Sequence, residues 1–277
     1  MFEIRINHRS TPFSRLVPIL DTVNKPHMLE ICELNEAFEE KDGDLRFSHT
    51  KIVGRDCDNF FYAVTDRRYR SKSEIDLAGL EPIPIPPSHI WPPFTKEFTQ
   101  APDPMPHNCY IKQPSLINYG DSGEPSAVRQ LLANEAQVCE ILRNSPHPNV
   151  AKYYGCIVHD GRITGLCFAR YGNNLLETVK STRLINVDRW VNQISQGISH
   201  LHSLGLVHCD INPKNVVLDA DTLVIIDFDS CRREGEKLGM KAGTRGWTDE
   251  SFTVANRQND HYGLAKIRIF LSDRNTE

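Results

Sequence analysis

Apolar and polar positions alternate only over short stretches in the first eighty residues. Four runs rich in β-branched and aromatic residues read as strand candidates: FEIRI, HMLEICEL, LRFSHTKIV and FFYAVT. Proline then breaks the pattern. Nine of the 17 prolines fall between Pro82 and Pro106. A fixed φ and a missing N–H make that stretch a poor helix or central strand. It reads as an extended connector, with Ile83, Ile85, Ile90, Trp91 and Phe94 as docking points.

Longer periods begin after the connector. CYIKQ, residues 109–113, predicts a strand. From Ser126 to Arg143 the apolar positions Val128, Leu131, Leu132, Val138, Cys139 and Leu142 recur at helical spacing. HPNV stops that helix, and KYYGCIV with GRITGLCFARY predicts a strand pair turning at His159-Asp160-Gly161. Val187 to Leu204 predicts a second long helix, with Trp190, Ile194, Ile198 and Leu201 on one stripe. There follow LVHCDINPKN, a strand VVL, a turn DADT and a strand LVIIDFD.

Composition narrows the class. The chain has 32 basic and 36 acidic side chains among its 277 residues, a net charge of -4. That balance argues against an electrostatic grip on nucleic acid. No run approaches the roughly 18 apolar residues needed to span a bilayer, and MFEIRINHRS has no apolar signal core. Eight cysteines are scattered without a CxxC pair, which suits a reducing compartment. The expectation is an intracellular protein, cytoplasmic or nuclear, with no membrane insertion.

The residues that carry chemistry cluster late. His208-Cys209-Asp210-Ile211-Asn212-Pro213-Lys214-Asn215 precedes a hairpin that ends in Asp227-Phe228-Asp229. Asp227 follows four apolar residues, and a carboxylate ending a buried strand needs a partner. A divalent cation held by Asp227 and the Asn215 carbonyl would supply one, and Asp210 would then stand ready to orient or deprotonate a hydroxyl. Glu135 lies at inward phase on the first long helix, and Lys112 on the preceding strand is its natural counter-ion.

This constellation resembles the protein-kinase-like superfamily, in which HxDxxxxN is the catalytic loop and the aspartate of DFG binds magnesium. HPNV (147–150), the segment Gly243 to Glu250, and Asp260-His261-Tyr262-Gly263 are similar to further protein-kinase segments, and the separations among them fit a core without large insertions. The resemblance implies an α+β, two-lobed protein-kinase-like fold, with a β-rich N-lobe and a truncated helical C-lobe. It implies three regions: 1–80, β-rich and of unknown role; 81–106, the connector; and 107–277, the kinase-like domain. It also implies ATP and Mg²⁺ as cofactors and a protein substrate or partner. Asp210, Asn215, Lys112 and Glu135 would be catalytic; Lys112, Ala169, Arg170, Tyr171, Asn215 and Asp227 would hold the nucleotide; Asn215 and Asp227 would hold the metal.

The chain departs from the family at defined points. No glycine-rich phosphate loop precedes Lys112; the nearest upstream glycine is Gly79. Tyr110 stands where a small residue usually roofs the adenine, with Ala169 at the apparent gatekeeper position. Cys209 replaces the catalytic-loop arginine and reads as a buried structural thiol. Asn212 replaces a lysine that Lys214 could replace in turn, and Asp229 replaces the DFG glycine. Three readings stay open: a Ser/Thr protein kinase, a pseudokinase scaffold, and a small-molecule kinase of the aminoglycoside or choline type. His200, His202 and His208 look like a metal cluster, but His200 and His202 face apart on a helix. Leu264, Ile267, Ile269, Phe270 and Leu271 are expected to form an exposed apolar surface unless a partner or residues 1–80 cover it.

Overall fold

The computed structural model describes residues 29–41, 43–57, 59–76, 79–121, 123–181, 185–239 and 243–274; FEIRI lies outside them. The chain divides into two compact units. The first comprises residues up to Trp91 together with Pro114–Arg129, and the second comprises Pro92–Gln113 and Gln130–Glu277.

The first unit is an antiparallel meander, β1 (Leu29–Lys41), β2 (Asp44–Asp56), β3 (Asn59–Thr65) and β4 (Ile83–Ile85), in that order. Ile52, Val53 and Ala63 are fully buried, as the two-residue period of half-buried strands requires only in part: the KIV run of β2 is buried at three consecutive positions. Gly54 pairs with Phe61, and a Cβ there would meet the Phe61 ring at 2.4 Å, so the ring lies directly over the glycine. The proline stretch is more ordered than expected. Ile83–Ile85 forms an edge strand, where a missing N–H costs nothing, and Pro87–Ile90 forms one helical turn, α1, with proline at its start.

The second unit carries a three-stranded antiparallel sheet, β5 (Cys109–Lys112), β7 (Arg162–Ala169) and β6 (Tyr153–His159) in spatial order. The β6–β7 turn has positive φ at both Asp160 and Gly161, as a two-residue hairpin with right-handed twist demands. Residues 92–101 run beside β6: Phe94 and Ile163 exchange backbone bonds with Gly161 and Pro92 (both 2.9 Å), and Cys156 bonds Thr99 and Ala101. Helix α2 (Ala127–Asn144) starts in the first unit and continues in the second, burying Leu132, Ala136, Val138, Cys139 and Leu142.

The helical part follows, with α3 (Leu175–Ser181), α4 (Val187–Ser203) and α5 (Arg257–Arg274). α4 buries the predicted stripe, and its N-cap Asn186 accepts the Arg189 N–H at 3.0 Å. Two small ladders, β8 (Leu206–Val207) with β11 (Arg232–Arg233) and the hairpin β9 (Val216–Asp219) with β10 (Thr222–Ile225), bracket the loop of Asp210. This α+β architecture is the protein-kinase-like one expected. The apolar C-terminal surface is largely a buried face: Ile267 and Leu271 are inaccessible where α5 packs on α4, and Ile269 alone of the five is strongly exposed, at 57%. Among the described residues no helix is long and apolar enough to cross a membrane.

Candidate active site

Strand β5 delivers Lys112 and helix α2 delivers Glu135, whose Oε1 accepts from Nζ at 2.6 Å. The same ammonium donates to Asp227 Oδ1 at 2.7 Å, and Asp229 Oδ2 lies 3.9 Å away. One cation therefore sits among three carboxylates, all within the second unit. Burial works against the Lys112 charge, but Asp227 and Glu135 outweigh it, so the ammonium is held well above its ordinary range. Burial is also the largest influence on Glu135; with Asp227 it overcomes Lys112 and raises the carboxyl to about 7. Glu135 further accepts the Phe228 N–H at 3.1 Å, which ties α2 to the strand end.

Asp210 is the centre of a second cluster. Its carboxylate accepts from Asn212 Nδ2 (2.9 Å), Asn215 Nδ2 (3.0 Å), the Thr244 N–H (2.8 Å) and the Thr244 hydroxyl (3.2 Å). Burial still raises its pKa, against His208 and these bonds. The loop is fixed from beneath by Asp260, wholly buried at the start of α5. Its two oxygens accept the N–H groups of His208 (2.9 Å) and Cys209 (2.8 Å), and His202 Nε2 lies 2.8 Å away. Gly263 allows α5 this approach, because a Cβ there would stand 2.3 Å from the Ile211 carbonyl.

The two clusters are joined through Ile226. Its N–H donates to the Asn215 carbonyl at 3.0 Å, and its carbonyl lies 3.1 Å from His208 Nε2. Cys209 and Asp227 both adopt left-handed φ, +64° and +66°, a conformation that costs non-glycine residues energy and recurs at active sites. With the Asn215 NH₂ turned to Asp210, its amide oxygen and the Asp227 carboxylate are hard oxygen donors of the kind magnesium takes. The residues thus fit the metal that the fold implies.

Several sequence expectations change here. Cross-strand pairing sets Phe168 opposite Tyr110, so Phe168 shares the sheet face of Lys112, whereas Ala169 pairs with Cys109 on the other face. Buried Phe168, not Ala169, is therefore the β7 residue on the face of Lys112 beside Tyr110. Tyr110 is 47% exposed, and the Arg170 guanidinium stands 6.0 Å from its ring centre. Tyr171 accepts the Lys152 N–H through its hydroxyl at 2.9 Å. Lys214 is exposed, while Asn212 is buried and braces Asp210. Cys209 is 1% exposed, and burial pushes its thiol up to about 12, as expected for a structural cysteine. The three histidines go to separate partners, the Ser145 carbonyl, Asp260 and the Ile226 carbonyl. Sequence reading missed Thr244 as a partner of Asp210, although Gly243-Thr244 opens the segment already singled out.

A sequence profile described as Protein kinase domain matches residues 122–261, just over half of the chain, and the chain belongs to that family. Lys112 lies upstream of the matched stretch and is tied to it by its bonds to Glu135 and Asp227. Among similar proteins, MAP kinase kinase kinase SSK2 of Saccharomyces cerevisiae is 30% identical over 123 residues, 42% of this chain and 8% of that one. MAP kinase kinase kinase win1 of Schizosaccharomyces pombe is 25% identical over 174 residues, 55% of this chain and 12% of that one. Human mitogen-activated protein kinase kinase kinase 3 is 28% identical over 139 residues, 46% of this chain and 22% of that one. The chain thus spans only a small part of the length of these relatives. The Cydia pomonella granulovirus kinase PK-1 structure aligns at a TM-score of 0.45 and 15% identity, over 90% of this chain and 69% of that one.

Proposed function

We propose that the chain transfers the terminal phosphoryl group of ATP to a Ser/Thr hydroxyl on protein. The observation that carries this reading is the Lys112 ammonium shared by Glu135 and Asp227 at 2.6 and 2.7 Å, on the same frame as the braced Asp210. Lys112 would hold nucleotide phosphates, Asp227 and Asn215 would hold magnesium, and Ala169, Arg170 and Tyr171 would border the base. When bound, magnesium supplies charge neutralisation on the transferring group. Asp210 orients the acceptor hydroxyl and takes its proton, and the bonds from Asn212, Asn215 and Thr244 keep its carboxylate aimed. Catalysis on this plan is positioning and electrostatics, with little covalent work for the protein.

Radiolabelled ATP with magnesium and a mixed protein substrate tests it. The wild-type chain should label substrate on Ser/Thr, and Asp210→Asn should abolish labelling without lowering the melting temperature. Equal labelling by that variant would overturn the assignment.

A second reading, a pseudokinase scaffold, is favoured by one feature. Before β5 the described chain provides a proline-rich segment along β6 in place of a glycine-rich phosphate hairpin. Thermal stability measured with millimolar Mg·ATP separates the two, because a ligand that binds only the native state raises its stability. A clear upward shift supports the enzyme; no shift supports the scaffold.

A further inference from the structure

Lys112 ends β5 and Glu135 stands in α2, yet the chain between them, Pro114–Arg129, belongs to the first compact unit. Side chains of that unit hold it. Glu33 of β1 accepts the Leu116 N–H at 2.6 Å and also the Ser115 hydroxyl. Lys51 of β2, only 5% exposed, donates to the Tyr119 carbonyl at 2.6 Å and to Asp121 at 2.5 Å. The Tyr119 hydroxyl lies 2.6 Å from His89 Nδ1, and its ring meets Tyr62 edge-on. Leu116 and Ile117 are buried.

A strand-to-helix connection is ordinarily a solvated surface loop. Desolvating an ammonium is costly unless it is paired, and both hydrogen-bond acceptors of Lys51 lie in this connector. The buried lysine therefore serves the connector. The first turn of α2 belongs to the same unit, and Glu135 follows about two helical turns later. The connector is continuous with both partners of the ion pair, with β5 at one end and α2 at the other, and that 2.6 Å pair tolerates only a few tenths of an ångström.

We propose that Lys51 and Glu33 are positioning residues for phosphoryl transfer: by fixing residues 115–121 they fix the start of α2 and so the Glu135–Lys112 pair. This inference rests on the roles given to Lys112 and Glu135 above. The test compares the full-length wild type with Lys51→Met, Glu33→Gln and Lys51→Arg. Amide hydrogen exchange of residues 115–121 and 127–140 and the rate of phosphate transfer are followed side by side. Lys51→Met should speed exchange in both segments by about tenfold, the scale of a lost charge-assisted bond, while exchange in α4 stays unchanged. The kcat should fall by a similar factor with KM for protein substrate preserved, and Lys51→Arg should restore both readouts. Glu33→Gln should act in the same direction and serves in place of Lys51→Met if that variant does not fold. Faster exchange confined to 115–121, with α2 and kcat untouched, would overturn the proposal. If the wild type transfers no phosphate, exchange in α2 still decides the positioning role, and the failure falls on the phosphotransfer reading alone.

Discussion

Lys112 stands among three carboxylates: Glu135 and Asp227 lie within 2.7 Å and Asp229 at 3.9 Å. The burial of Glu135, with Asp227 beside it, has a thermodynamic signature. Glu135 in the folded chain titrates at about 7, above its ordinary 4.5, so between these values the native state keeps a proton that the unfolded state has lost. Stability through this group is therefore present at low pH and declines as pH rises across that window. Glu135→Gln removes the titration. Its stability relative to wild type should improve by about 1–3 kcal/mol between the two pH limits, since each pH step separating the folded and unfolded titrations is worth roughly 1.4 kcal/mol. Urea melts at several pH values measure it, and a pH-independent difference would contradict the raised value. Cys209 offers a second check at this scale. Its thiol is inaccessible and pushed up to about 12, whereas Cys57 is exposed. Iodoacetamide on the native chain near neutral pH should alkylate Cys57 and leave Cys209 unmodified, as read by mass spectrometry. Labelling of Cys209 without denaturant would show that the loop opens.

At the scale of elements, the loop of Asp210 depends on a helix that follows it by some fifty residues. Asp260 satisfies two loop N–H groups, and Gly263 lets the helix touch Ile211. Gly263→Ala would drive a methyl group into a backbone carbonyl that cannot rotate away. A loss of about 1–3 kcal/mol is expected, with a fall in phosphate transfer greater than the loss of folded protein. An unchanged melting temperature would show that α5 shifts at no cost. Asp260 was legible because a short motif names it, and the strands, hairpin turn and two long helices were legible because their periodicity is local. Thr244 was less so. It closes on Asp210 from thirty-four residues away, and nothing in the pattern at either residue reports that contact. The face of Phe168 needed cross-strand register, which one strand's alternation does not contain. Ile267 and Leu271 looked exposed because their partner, α4, lies far away in sequence.

At the scale of the molecule, the least legible feature is the division of the chain. Composition marks 81–106 as a connector between two regions; the units divide after Trp91, inside that stretch, and Pro114–Arg129 returns to the first unit. The chain crosses between the units three times, and the third crossing lies inside a continuous helix, between Arg129 and Gln130. Two domains strung on a flexible linker melt independently. Here unfolding of the first unit frees the start of α2, and α2 carries Glu135. Melting should therefore be one transition. Trp91 belongs to the first unit and Trp190 and Trp247 to the second, so Trp190→Phe/Trp247→Phe leaves a fluorescence reporter of the first unit alone. Its thermal transition should coincide with the loss of helical circular dichroism, to which the second unit's helices contribute most. An earlier Trp91 transition that leaves the helical signal intact would mean that the first unit unfolds without disturbing α2. The connector would then be a passive tether, and the ion pair of Lys112 and Glu135 would be set by the second unit alone.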